Sequence, residues 1–204
     1  LPDGRYLDRE LSWLAFNQRV LAEAGNPDYP LLERLRFLSI SGNNLDEFMM
    51  VRAAGIAGQV RRQIEEVSID GRTPSQQLAA IHDKVLELEA AQQDVWSDLR
   101  GLLAEKAIAI VGGERLAPAR EAWLRDYFVD HLMPIITPQA IDPAHPFPFV
   151  ANQGMGILFT LTRLADEAPV MEMVLIPHAL PRFVRLPGEP AAWIAVEDLL
   201  SRNA

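Results

Sequence analysis

The hydrophobic rhythm of the chain changes near its middle. From residue 13 onward, Trp13, Phe16 and Val20, with Leu14 and Leu21 beside them, recur at three- and four-residue steps, the mark of a helix with a broad apolar face. Gly25-Asn-Pro-Asp28 ends that helix. A shorter apolar pattern over residues 31–40 follows. Ser41-Gly42 is expected to break it before a long amphipathic helix from about residue 44 to about residue 66, marked by Leu45, Phe48, Arg52, Ile56 and Val60. Ser68-Ile-Asp-Gly-Arg72 reads as a turn, and Thr73-Pro-Ser-Gln76 supplies an N-cap, a first-turn proline and a capping-box glutamine for the next helix. In that helix Leu78, Ile81, Val85, Leu88, Gln92, Val95, Leu99 and Leu102 alternate threes and fours, a coiled-coil-like seam interrupted only by Gln92. These helices are expected to form an antiparallel bundle over residues 1–106.

After Lys106 the periods shorten. Residues 107–111 read as a strand and 118–132 as a helix, whereas the proline-rich stretch 134–148 is expected to be irregular. Residues 155–162 and 170–176 alternate as strands around Ala165-Asp-Glu-Ala-Pro169, which predicts an antiparallel hairpin. A further strand is expected at 182–186, and residues 193–200 drift into a helical pattern. The fold class is therefore α+β: a helical bundle followed by a smaller mixed α/β domain over residues 107–204, incomplete in its strands. Neither an internal repeat nor a low-complexity segment occurs.

Composition narrows the chemistry. In 204 residues, 49% hydrophobic content with 23% charged suits a globular protein able to bury a core without staples. The absence of cysteine excludes disulfides, a thiolate nucleophile and Cys-based metal sites, and it is compatible with a cytoplasmic setting. No apolar run approaches the roughly 20 residues of a transmembrane helix, and no signal-type segment opens the chain. It starts at Leu1 and stops in Ser201-Arg-Asn-Ala204, and so reads as a piece of a longer protein. The net charge of −9 repels nucleic acid and phosphate polymers alike, and the basic residues gather only locally, at Arg34/Arg36 and Arg61/Arg62.

The densest polarity lies in Ser41-Gly-Asn-Asn-Leu-Asp-Glu-Phe48, where two amides and two carboxylates stand at the expected junction of two helices. Read as a helix N-terminus, Asn44 with Glu47 three residues later makes a capping box, and Asn43 with Asp46 fits almost as well. The same helix end is suited to an anionic ligand. Spacing alone leaves both readings open.

Context adds to them. Arg9-Glu-Leu-Ser-Trp-Leu-Ala-Phe-Asn-Gln-Arg-Val-Leu-Ala-Glu-Ala24, then Pro30-Leu-Leu-Glu-Arg-Leu-Arg-Phe-Leu-Ser-Ile40 and the Asn-Asn-Leu-Asp-Glu-Phe block, resemble the N-terminal domain of the polyphosphate kinase family. Farther on, Pro134-Ile-Ile-Thr-Pro138 and Asp142-Pro-Ala-His-Pro-Phe-Pro-Phe149 resemble its middle, or head, domain. The resemblance runs from about Tyr6 to the C-terminus. It implies reversible transfer of the terminal phosphate of ATP to polyphosphate, with ATP bound by the second asparagine of the block, Asn44. An amide suits that role because it donates to and accepts from an adenine edge at once and carries no charge to repel phosphate. Phe37 and Leu45 either wall the base or belong to the bundle core; Arg52 either meets a phosphate or pairs with a carboxylate such as Glu10 or Glu33.

By the same resemblance, the phosphoryl-accepting histidine, the Mg²⁺ and the polyphosphate path belong to C-terminal domains outside this chain. No catalytic residue and no metal site is expected here, and the piece alone is expected to be inactive. ATP and ADP are the implied partners, with self-association into a homo-oligomer through the head region, and no nucleic acid. His82, His131, His145 and His178 are scattered, and His145 beside Asp142 reads as a buttress of its proline loop rather than a metal ligand. Two other classes stay open: a helical interaction module, and a nucleotide-sensing domain without catalytic activity.

Overall fold

The computed structural model describes residues 6–113 and 115–203. The chain divides into two compact units, Leu1–Leu103 and Ala104–Ala204.

In the first unit, α1 (Arg9–Gly25) begins at Asp8, whose carboxylate accepts the N–H groups of Glu10 and Leu11 at 2.8 Å. Its stripe of Leu14, Leu21 and Ala24 is buried. Next, α2 (Leu31–Phe48) passes through a π-helical turn (Met49–Ala53) into α3 (Ala54–Arg61) without leaving helical backbone. The expected break at Ser41-Gly42 is absent, and the helix expected to begin at Asn44 and run to residue 66 begins at Leu31 and ends at Arg61. The reason is energetic. A mid-helix glycine costs about 1 kcal/mol relative to alanine, less than is gained by burying Ser41, Leu45 and Phe48 along one face.

A turn follows as expected, closed by the Ser68 N–H donating to the Arg72 carbonyl at 2.8 Å, with Gly71 at φ +91° where a side chain would be strained. Then α4 (Pro74–Glu105) opens on a capping box: the Thr73 N–H donates to Gln76 Oε1 at 3.0 Å, and the Gln76 N–H to Thr73 Oγ1 at 3.3 Å. Its Ile81, Val85 and Leu88 close the core formed by Leu14, Leu21, Leu45, Phe48 and Ile56. Side-chain contacts fix the directions. Glu10, Trp13 and Asn17 of α1 meet Arg52, Phe48 and Asn44 in reverse order, so α2 is antiparallel to α1. Gln77 and Gln92 of α4 meet Asp8 and Ser41, so α4 runs back alongside α1. The result is an up-down-up helical bundle.

The second unit holds two three-stranded sheets. In one, β6 (Ala192–Ala195) is central, parallel to β1 (Ala109–Val111) and antiparallel to β5 (Phe183–Leu186). In the other, β4 (Pro169–Leu175) is central and antiparallel to both β2 (Pro138–Ala140) and β3 (Gly156–Thr162). Helix α5 (Pro118–Tyr127), extended by a π-helical turn (Phe128–Leu132), and α6 (Val196–Arg202) contribute Leu124, Leu132, Leu199 and Leu200 to a core shared with Val174, Val184 and Ile194.

The β3–β4 hairpin matches expectation, and the fold class is α+β. The strand expected at 182–186 is present as β5, in the sheet that lacks the hairpin. Two details differ. The proline-rich stretch contains β2, which is possible because Pro138 stands first on an edge strand. Residues 192–195 are strand rather than helix, because Ala192 and Ile194, fully buried, sit on a central strand paired on both sides.

Candidate functional site

The helical unit concentrates its polarity where α1 crosses α2. Asn17 lies in the apolar stripe of α1 between Leu14 and Leu21 and is completely buried. Its Nδ2 donates to the Ser41 carbonyl at 2.9 Å, and its Oδ1 accepts from Asn44 Nδ2 at 3.2 Å. Ser41, also completely buried, accepts at Oγ from Gln92 Nε2 of α4 at 2.9 Å. One serine thus ties three helices, and only a small side chain leaves room for that approach. A turn farther along, the rings of Trp13 and Phe48 stack at 5.0 Å. Beyond them Glu10, 3% exposed, takes Arg9 on one carboxylate oxygen and Arg52 on the other at 3.0 Å, while the Arg52 guanidinium lies 5.7 Å from the Trp13 ring. Arg52 is carried by the π-helical turn, a feature that recurs at functional positions.

This geometry corrects the reading of the Asn-Asn-Leu-Asp-Glu-Phe block as a helix N-terminus. Asn44 stands mid-helix and half-buried, about four turns from the Pro30 cap. No capping box forms at Asn44 and Glu47 or at Asn43 and Asp46, because the backbone there is continuous helix. Unpaired backbone donors and the positive dipole end are therefore not available, and the chemistry on offer is that of the Asn44 side chain. Asn17 engages one of its N–H groups; the carbonyl oxygen and the second N–H make no hydrogen bond among the described residues.

The other candidates separate. Leu45 is buried in the core at 6% exposure. Phe37 is half-buried at its edge, 5.2 Å from the Tyr29 ring, and lies two helical turns before Asn44 on the same side of α2. Arg52 pairs with Glu10, whereas Glu33 pairs with Arg36 at 3.8 Å. Sequence reasoning missed Asn17, although an amide inside a leucine stripe is the signal that would have found it. It also noted Gln92 only as a gap in the seam.

Two of the histidines have partners close by in the chain. His145 Nδ1 lies 2.9 Å from an Asp142 oxygen that also accepts the Ala144 N–H at 2.8 Å, and the hydrogen bond from His145 leads in holding the Asp142 carboxyl below its ordinary value. The His131 ring stacks on Tyr127 at 4.5 Å. Among the described residues, no group of three or more His, Asp or Glu side chains is placed to hold a metal ion. Nor is any helix among them long and apolar enough to cross a membrane.

Comparison with known proteins gives consistent matches. The model of the polyphosphate kinase N-terminal domain matches residues 6–111, and that of the polyphosphate kinase middle domain matches residues 119–204. A polyphosphate kinase of Erythrobacter litoralis is 57% identical over 203 residues, covering 100% of this chain and 28% of that protein. One of Mycolicibacterium gilvum is 42% identical over 189 residues, covering 92% and 26%. The crystal structure of polyphosphate kinase from Porphyromonas gingivalis superposes with a TM-score of 0.80 at 27% identity, over 97% of this chain and 30% of that one. The chain spans a little over a quarter of the length of the curated relatives it matches.

Proposed function

The chain belongs to the polyphosphate kinase family, and on that premise we propose that its helical unit supplies an adenine-binding edge to an ATP–polyphosphate phosphotransferase. Asn44 is the recognising group, with Phe37 as the wall of the base and Leu45 packed behind it. The observation that carries this reading is the half-used amide of Asn44, oriented by a buried Asn17 that is itself anchored to Ser41. A pre-oriented amide loses little freedom when it pairs with a base edge. Arg52, already committed to Glu10, is the more distant candidate for a phosphate contact. The phosphohistidine chemistry, the Mg²⁺ and the polymer path lie outside this chain in the same reading, so the chain alone makes no polyphosphate.

Self-association through the second unit completes the proposal. Phe147 and Phe149, 68% and 86% exposed on the proline-rich segment, support it as rigid apolar groups suited to a partner. A cysteine-free cytoplasmic protein fits the same picture. The test is calorimetric titration of ATP into the chain and into its Asn44→Ala variant. The variant is expected to keep its helical circular dichroism and to bind ATP at least about tenfold more weakly, the ratio of roughly 1.4 kcal/mol. Equal affinity in the two proteins would remove Asn44 from the site.

A further inference from the structure

Glu172 of β4 is set apart from the other carboxylates of the second unit. The pairing register puts it opposite Phe159 on β3 and Ala140 on β2, on the sheet face that also carries Ile157, Phe159 and Val174 into the core. It is half-buried, yet its carboxylate makes no ion pair and accepts no hydrogen bond among the described residues. A carboxylate held against apolar atoms without a donor is costly unless something supplies one.

The space beside it has a definite chemistry. A hollow of about 180 Å³ is walled by Phe128, Ile136, Phe159, Val174 and Leu200, with Glu172 and Asn203 as the polar residues of a mostly apolar lining. The Asn203 nitrogen donates to the Leu199 carbonyl at 2.8 Å, which leaves its oxygen as a second acceptor. Apolar walls ending in two acceptors match a cation on an apolar stem. The hollow is smaller than the roughly 300 Å³ at which small-molecule sites begin, so it suits one long side chain rather than a nucleotide. Leu161 and Glu172 also line an adjoining cleft of about 760 Å³, wide enough for the backbone that carries such a side chain. The cation of that cleft, Arg163, is turned to Asp166 at 3.2 Å and leaves Glu172 uncompensated. The net charge of −9 adds a field of the same sign.

We propose that this hollow is a docking site for an arginine side chain on a polypeptide segment laid across the adjoining cleft, with Glu172 as the residue that selects it. Arginine fits better than lysine because its guanidinium is weakly hydrated and its planar fork engages a carboxylate through two hydrogen bonds. Its methylene stem packs along the apolar walls. This site is independent of the nucleotide edge on the helical unit.

The probes are a blocked Leu-Arg-Leu tripeptide and the same peptide with citrulline, which is isosteric with arginine and uncharged. They are titrated into the chain while the backbone amide signals of β3 and β4 are followed by NMR. The arginine peptide is expected to shift the signals of Phe159, Leu161, Glu172 and Val174. It should bind at least about tenfold more tightly than the citrulline peptide, the ratio one charge-assisted hydrogen bond supports. Glu172→Gln keeps size and shape; with its melting temperature no lower than that of the unsubstituted chain, it should bind the two peptides alike. Equal binding of both peptides by the unsubstituted chain, shifts confined to other residues, no shift at millimolar peptide, or an arginine preference that survives Glu172→Gln would each overturn the assignment.

Discussion

The two units treat buried polarity in opposite ways. In the helical unit Asp8, Glu10, Asn17 and Ser41 are all nearly inaccessible, and each is partnered: Asp8 by Gln77 and two backbone amides, Glu10 by two arginines, Asn17 by Ser41 and Asn44, Ser41 by Gln92. In the mixed unit Glu172, half-buried among mostly apolar neighbours with Asn203 beside them, has no ion pair among the described residues, while Phe147, Phe149 and Leu158 stand in solvent. A polar group whose partners come from the same unit locks that unit into one arrangement. A polar group without one marks a surface that is completed by something else.

That contrast predicts opposite signs for similar substitutions. Asn17→Leu, close in size, removes the link between α1 and α2 and leaves the Asn44 N–H without its protein partner. Chemical denaturation followed through Trp13 fluorescence should show a loss of about 1–2 kcal/mol. A neutral or stabilised Asn17→Leu would mean that the amide ladder is incidental. Glu172→Leu does the reverse, taking an unpartnered carboxylate out of an apolar lining, and should raise stability by up to about 1 kcal/mol in the same assay. Destabilisation of that variant would mean that Glu172 has a partner within the chain after all.

Acid provides the smallest and most local comparison. Burial raises the Asp70 carboxyl, but hydrogen bonds from Ser68 and Arg72, with the Arg72 charge, outweigh it and hold the group below its ordinary value of 3.8. Asp142 is held below 3.8 as well, first by its hydrogen bond from His145. Because both carboxyls are depressed in the folded chain, what they contribute is fully present above pH 3.8 and is lost as pH falls below it through the folded values. The amide signals of Arg72 and Ala144, which report these turns, should shift in that acid range, and the Arg72 signal should stay constant from pH 5 to 7. Movement of the Arg72 signal near neutral pH would contradict the assignment.

Local signals were the legible part of the sequence. The Thr73/Gln76 cap, the turn at Gly71, the β3–β4 hairpin and most of the α4 seam rest on short-range chemistry and stand where their residues placed them, although the seam closes on Leu103 and not on Leu102. The Ser41–Phe48 stretch failed because its determinants are long-range. Gly42 and two asparagines favour a break on local propensity, but the partners that make helix the better choice, Asn17 and Gln92, lie 24 and 51 residues from Ser41. The same holds for β6, whose strand character comes from β1 and β5 on either side rather than from its own alternation. The role proposed for Asn44 rests on family resemblance alone in the sequence, and its link to the buried Asn17 is visible only in the structure.

The central claim is that the flank of α2 bearing Phe37 and Asn44 meets the adenine of ATP. The direct measurement is an NMR titration of the chain with ATP and, in parallel, with inorganic triphosphate. ATP is expected to shift the side-chain amide of Asn44 and the backbone signals of Phe37 and Asn17, and triphosphate to leave them in place. Identical shifts from both ligands, or ATP-dependent shifts that spare Asn44 and Phe37, would contradict it.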